Sequence, residues 1–125
     1  MRIFKNKAFN KRVKGECLSD QSLFDAAQEV AEGKVEASLG QKVFKKRIAL
    51  EGRGKSGGSR TIVAFQHGNH LFYIFGFAKN ARATVKNKEL KELQYLAKVY
   101  FALTDQQLDE AVKANKLFEV KDNER

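Results

Sequence analysis

Proline is absent from the 125 residues, and cysteine occurs once. Without proline, an internal repeat or a linker-like stretch, the chain reads as one domain over residues 1–125, large enough for a modest core. The lone Cys17 leaves no internal disulfide to form, and no Cys/His grouping has the spacing of a zinc site. No apolar run approaches the roughly 20 residues that cross a bilayer. The opening Met1–Lys7 lacks the continuous apolar core of a signal peptide. The expectation is a cytoplasmic protein with no cofactor and no metal. Acidic side chains are also scarce: 15 Asp and Glu stand against 24 Lys and Arg, a net charge of +9. Such an excess favours an anionic partner, whether nucleic acid, ribosome, acidic protein or membrane surface. A membrane-surface helix would gather its cations on one amphipathic face, and no segment does so.

The positive charge gathers instead at Lys42–Arg60 and Lys79–Lys91. The centre of the first cluster is Arg53-Gly54-Lys55-Ser56-Gly57-Gly58-Ser59-Arg60, which carries three cations and no acid. Its glycines predict a flexible loop, clipped onto a strand that begins at Arg60-Thr61. A basic loop beside a rigid strand suits phosphate; the same composition also suits a solvated hairpin loop.

The rest of the chain supplies a scaffold. A strand over Arg2–Lys5 precedes a helix over Ala8–Lys14, with Phe9 and Val13 on one face. A second helix is capped by Ser19 or Ser22, buries Leu23, Ala27, Val30 and Ala31, and stops at Gly33. Residues 1–40 thus form a strand and helices, 41–80 the core sheet with the basic loop, and 87–115 the C-terminal helices. In the strand Val43–Leu50, alternation puts Lys45 and Arg47 on one face and Phe44, Lys46 and Ile48 on the other. Thr61–Gln66 and Leu71–Phe77 form a hairpin through His67-Gly68-Asn69-His70, whose histidines read as turn residues. The segment Ala78–Thr84 turns polar directly after the buried strand, a well-anchored place for chemistry. Asn87 is the expected cap of a helix with Leu90, Leu93, Ala97, Tyr100 and Leu103 inward. Thr104 and Gln107 form a capping box for a last helix, Asn115 closes it, and Leu117–Val120 adds an edge strand.

The ordered set Lys45-Lys46-Arg47, Gly54-Lys55-Ser56-Gly57-Gly58-Ser59-Arg60-Thr61, Phe75-Gly76-Phe77-Ala78-Lys79-Asn80 and Lys88-Glu89-Leu90 resembles the RelE-type toxins of bacterial toxin–antitoxin systems, most closely their HigB-like branch. The resemblance implies an α+β fold with a small twisted antiparallel sheet, N-terminal helices packed on it and C-terminal helices. It also implies a metal-independent endoribonuclease that cuts messenger RNA on the ribosome and inhibits translation. In that chemistry the ribose 2′-hydroxyl attacks the phosphate, leaving a 2′,3′-cyclic phosphate and a 5′-hydroxyl. A cognate antitoxin of helix-turn-helix type is the implied partner. Position by position, Arg60 matches the arginine that holds the scissile phosphate, and Lys45 and Arg47 match a basic pair on the preceding strand. Lys79, Asn80 and Arg82 match the basic run after the central strand, with Asn80 standing where RelE has an arginine. Lys86 falls where RelE has a tyrosine. The resemblance assigns catalysis to Arg60, Lys79, Arg82 and Lys55, and RNA binding to Lys45, Lys46, Arg47, Arg53, Asn80 and Lys86. The acid and base stay open among Lys55, Lys79 and Lys86. Two alternatives remain: a ParE-like toxin that acts on DNA gyrase without cutting RNA, and a non-catalytic nucleic-acid-binding module.

Overall fold

The computed structural model describes residues 1–13, 18–50, 54–77 and 85–121. The elements run β1 (Ile3–Asn6), α1 (Lys7–Val13), α2 (Asp20–Ala31), β2 (Ala37–Ser38), β3 (Val43–Leu50), β4 (Gly54–Phe65), β5 (Leu71–Phe77), α3 (Asn87–Phe101), α4 (Asp105–Lys113) and β6 (Leu117–Val120). The six strands form one sheet in the order β2-β3-β4-β5-β1-β6. The architecture is α+β, as expected, with one refinement. Strand β1 pairs parallel with β5, so the sheet is mixed, although every other pairing is antiparallel.

Each sheet face is covered by helices because each strand alternates two sets of apolar residues. On one face Phe9 of α1 and Leu23, Ala26, Ala27 and Val30 of α2 pack on Ile48, Val63, Leu71 and Tyr73. On the other, Leu93 and Ala97 of α3 and Leu108 of α4 pack on Val43, Ile62, Ala64, Phe72 and Ile74. Local signals set the helix limits. The Ser19 side chain accepts from the Ser22 N–H at 3.1 Å. Gly33 (φ 85°) ends α2 as Gly33 N–H reaches Val30 O and Lys34 N–H reaches Glu29 O, a Schellman closure. The Thr104–Gln107 box is reciprocal, at 2.9 and 3.1 Å. Asn87 proves to be the first helical residue of α3; the cap is Lys86, whose N–H donates to Glu89 Oε1 at 3.2 Å.

Two irregularities shape the sheet. Along β4–β5 the register passes from Ile62↔Phe75 to Val63↔Tyr73, so Ile74 is the extra residue of a bulge. Both Ile74 and Phe75 therefore pack with the α3 side. The bulge also resets the phase, so that a Cβ on Gly76 would lie 3.2 Å from the Phe9 ring. The second concerns the glycine-rich stretch. The expected loop at 54–59 is strand: β4 begins at Gly54, with Leu50↔Gly54 and Ile48↔Ser59 as partners across a register shift. A shift of that kind absorbs residues that could not pair in a regular ladder, and glycine is tolerated there.

The far end of the sheet is tied by Arg2. Its guanidinium meets Glu119 at 2.9 and 3.1 Å, Asp109 at 2.7 Å and Asp105 at 3.4 Å. His70 Nδ1 accepts from the Arg2 N–H at 3.1 Å, which leaves Nε2 to carry the proton toward Asp105, also at 3.1 Å. The hydrogen bond from His70, followed by that from Arg2, holds the Asp105 carboxyl below its usual range. His70 is thus a structural link, and His67 is exposed with its ring edge-on to Phe65.

Tyr73 gives a testable pH dependence. Its buried hydroxyl donates to Leu23 O at 2.6 Å, and burial pushes its pKa above the usual value. An unfolded tyrosine ionises near pH ~10, whereas the folded one stays neutral. Stability from this group is therefore intact below about pH 10 and falls by up to ~1.4 kcal/mol per pH unit above it. Urea unfolding of wild type and Tyr73→Phe between about pH 8 and 11 should show the wild-type advantage of ~1 kcal/mol shrinking as pH rises. A constant difference across that range would contradict this account.

Candidate functional site

Strands β3 and β4 set up the site by register. Arg47 and Arg60 are direct Cα partners, and Lys45 lies opposite Ile62. Val43 and Ile62 belong to the face covered by α3, so alternation places Lys45, Arg47 and Arg60 on that same face. All three side chains are half-buried. A cleft of about 230 Å³ opens here, lined by Glu36, Ala37, Lys45, Lys46, Arg47, Arg60 and Thr61. Like charges directly opposite across a ladder are destabilising. An anion between Arg47 and Arg60 would relieve that repulsion, and two planar guanidinium groups match a phosphate's oxygens.

Glu36 was not singled out in the sequence, yet it belongs to the cleft. The pairing of β2 with β3 places Ala37 opposite Lys45, and Glu36 N–H donates to Lys45 O at 3.0 Å. Beyond the end of β2, the Glu36 carboxylate takes over from a missing strand and accepts the Arg47 N–H at 2.6 Å. It is the one carboxylate lining the cleft among the described residues. A two-residue strand leaves almost no sequence signal, which is why this neighbour was invisible.

Lys46 requires a correction. Expected among the RNA contacts, it is only 2 % exposed, and its ammonium points to the end of α2. There it meets Glu29 Oε1 at 2.7 Å and Lys34 O at 2.9 Å, inside the Schellman closure. A cation at a helix C-terminus is favourable, and here it is structural. Lys86 is exposed at the head of α3 and does not line the cleft. Arg53, Lys79, Asn80 and Arg82 lie outside the described residues, as does the side chain of Lys55. The segment carrying Lys79, Asn80 and Arg82 follows directly in sequence on Phe77, the Cα partner of Arg60.

No group of three or more His, Cys, Asp or Glu among the described residues could hold a metal ion. No helix among them is long and apolar enough to cross a membrane. A family model described as the RelE toxin of the RelE/RelB toxin–antitoxin system matches residues 1–120. No curated protein matches the chain significantly.

Proposed function

Because this chain belongs to the RelE family of toxins from toxin–antitoxin systems, with a cognate antitoxin as its partner, we propose that it cleaves messenger RNA on the ribosome. The juxtaposition of Arg47 and Arg60 across one ladder, with Lys45 beside them in a cleft, is the observation that carries this reading. The ribose 2′-hydroxyl gives up its proton and attacks the adjacent phosphorus. The bond to the 5′-oxygen breaks, and that oxygen takes a proton to leave as a hydroxyl. Arg60 and Arg47 hold the phosphate and offset the charge that builds on it in the transition state. Lys45 adds to the same field. The base is Glu36, whose carboxylate already sits in the cleft, or one of Lys55 and Lys79; Lys79 or Arg82 supports the leaving oxygen. Arg53 and Asn80 extend the RNA contacts, and the site of action is the bacterial cytoplasm.

Pulse-labelling after induced expression tests this reading. Protein synthesis should stop within minutes while DNA synthesis continues at first. DNA synthesis failing first, with a DNA-damage response, would instead indicate a gyrase poison.

A further inference from the structure

A second and larger concavity lies on the α3 side of the sheet, outside the cleft just described. It is an open groove of about 790 Å³ whose walls include Gln41, Lys42, Gln66, Gln94, Tyr95 and Lys98. Three independent features mark it. Tyr95 is 70 % exposed, which is far more than structural packing requires of an aromatic ring. Lys42 and Lys98 make no ion pair or side-chain hydrogen bond among the described residues. Lys88 and Lys91 stand further along the same exposed face of α3 at three- and four-residue intervals, with Glu92 between them and Tyr95.

The third feature is the backbone that delivers Gln41 and Lys42. The β2–β3 connection is closed by Leu39 N–H to Val43 O at 2.8 Å, leaving three residues in the loop. Loops of this length usually need one left-handed residue. This one has three in succession: Gly40 at φ 84°, Gln41 at 56° and Lys42 at 65°. Glycine adopts that region freely; glutamine and lysine do so under strain. Strain beyond what the connection requires is a mark of a functional segment.

An exposed aromatic ring, glutamine amides and flanking cations are the components of a single-stranded RNA subsite. The ring stacks on a base, the amides meet base edges, and the lysines meet phosphates. Of the amides, Gln94 Nε2 is held by Leu39 O at 2.9 Å, which fixes the side chain and leaves its carbonyl oxygen to accept. We propose that this groove binds a nucleotide of single-stranded RNA flanking the scissile phosphate. The inference rests on RNA being the substrate of the Arg47–Arg60 cleft. Lys42 and Lys45 are three residues apart, about 10 Å along the chain at the rise of a strand. That separation is within the reach of a short RNA strand.

Fluorescence anisotropy with a labelled single-stranded octaribonucleotide tests the proposal, using the full chain and four variants. Tyr95→Ala should weaken binding about tenfold or more, and Tyr95→Phe should bind like wild type, because stacking needs the ring and not the hydroxyl. The Lys42→Ala/Lys98→Ala double variant should lower the slope of log affinity against log salt by about 1.4, or ~0.7 for each single-strand phosphate that is no longer neutralised. Tyr95 and both lysines are exposed, so thermal melting of these variants should overlay on wild type. If Arg60→Ala loses affinity while Tyr95→Ala and the double lysine variant do not, the groove proposal fails and the cleft reading survives. If no form of the protein binds the RNA, the groove proposal fails, while the cleft reading stands or falls on cleavage at the ribosome. Unchanged RNA affinity with weakened antitoxin binding in Tyr95→Ala would make the groove a protein-docking surface and overturn the proposal.

Discussion

Arg60→Ala is expected to lower the rate of ribosome-programmed messenger-RNA cleavage by two to three orders of magnitude. Removing one preorganised donor from a developing oxyanion has that cost in enzymes that depend on electrostatic stabilisation. The arginine stands in the ladder beside Arg47, held by β3 on one side and by β5 through Phe77 on the other. Its position is therefore fixed before substrate arrives, and little reorganisation is needed during reaction. Arg60→Lys should recover only part of the activity, because an ammonium keeps the charge but loses the planar fork. Neither change should cost much stability. The side chain is half-buried at the cleft and belongs to neither core cluster. Cleavage assays on purified ribosomes, run beside thermal melts, measure both quantities.

Glu29→Ala should destabilise the protein by about 3 kcal/mol, or roughly 10 °C in melting temperature. The substitution leaves the Lys46 ammonium enclosed at 2 % exposure with its charge no longer matched by Glu29. Lys46→Met should be far milder, about 1 kcal/mol, because the methylene stem is retained and the released Glu29 is accessible to solvent. The two variants differ in a second way. Since the Lys46 ammonium is engaged by Glu29 and the Lys34 carbonyl at the end of α2, Lys46→Met should cleave RNA within about threefold of wild type; a larger loss would restore Lys46 to the RNA-binding set. Denaturant titration and the same cleavage assay decide the point.

Much of the scaffold was legible in the sequence because short-range chemistry fixes it. Alternation along Val43–Leu50 assigns Lys45 and Arg47 to one face, and the structure keeps them there. Ser19, Gly33, Thr104 and Asn115 mark helix ends by mechanisms that operate within one turn. What could not be read depends on partners distant in sequence. The parallel pairing of β1 with β5 joins residues 68 positions apart, Ile3 with Leu71, and no local pattern encodes it. The glycines at 54–58 resemble a loop because their strand character comes from β3 across the hairpin. Lys46 carried a faint signal: a lone cation between Phe44 and Ile48 on an apolar face must find a carboxylate. Sequence alone could not say that Glu29 supplies it. Glu36 enters the cleft only because two residues of β2 pair with β3. The groove at Tyr95 leaves no mark in the sequence, since exposure is a property of the assembled fold.

The most direct test of the central claim is primer-extension mapping of cellular messenger RNA after induced expression of wild type and Arg60→Ala. New cuts confined to translated reading frames, present with wild type and absent with the variant, are the predicted result. Growth arrest with intact messages, or equal cleavage by both forms, would contradict it.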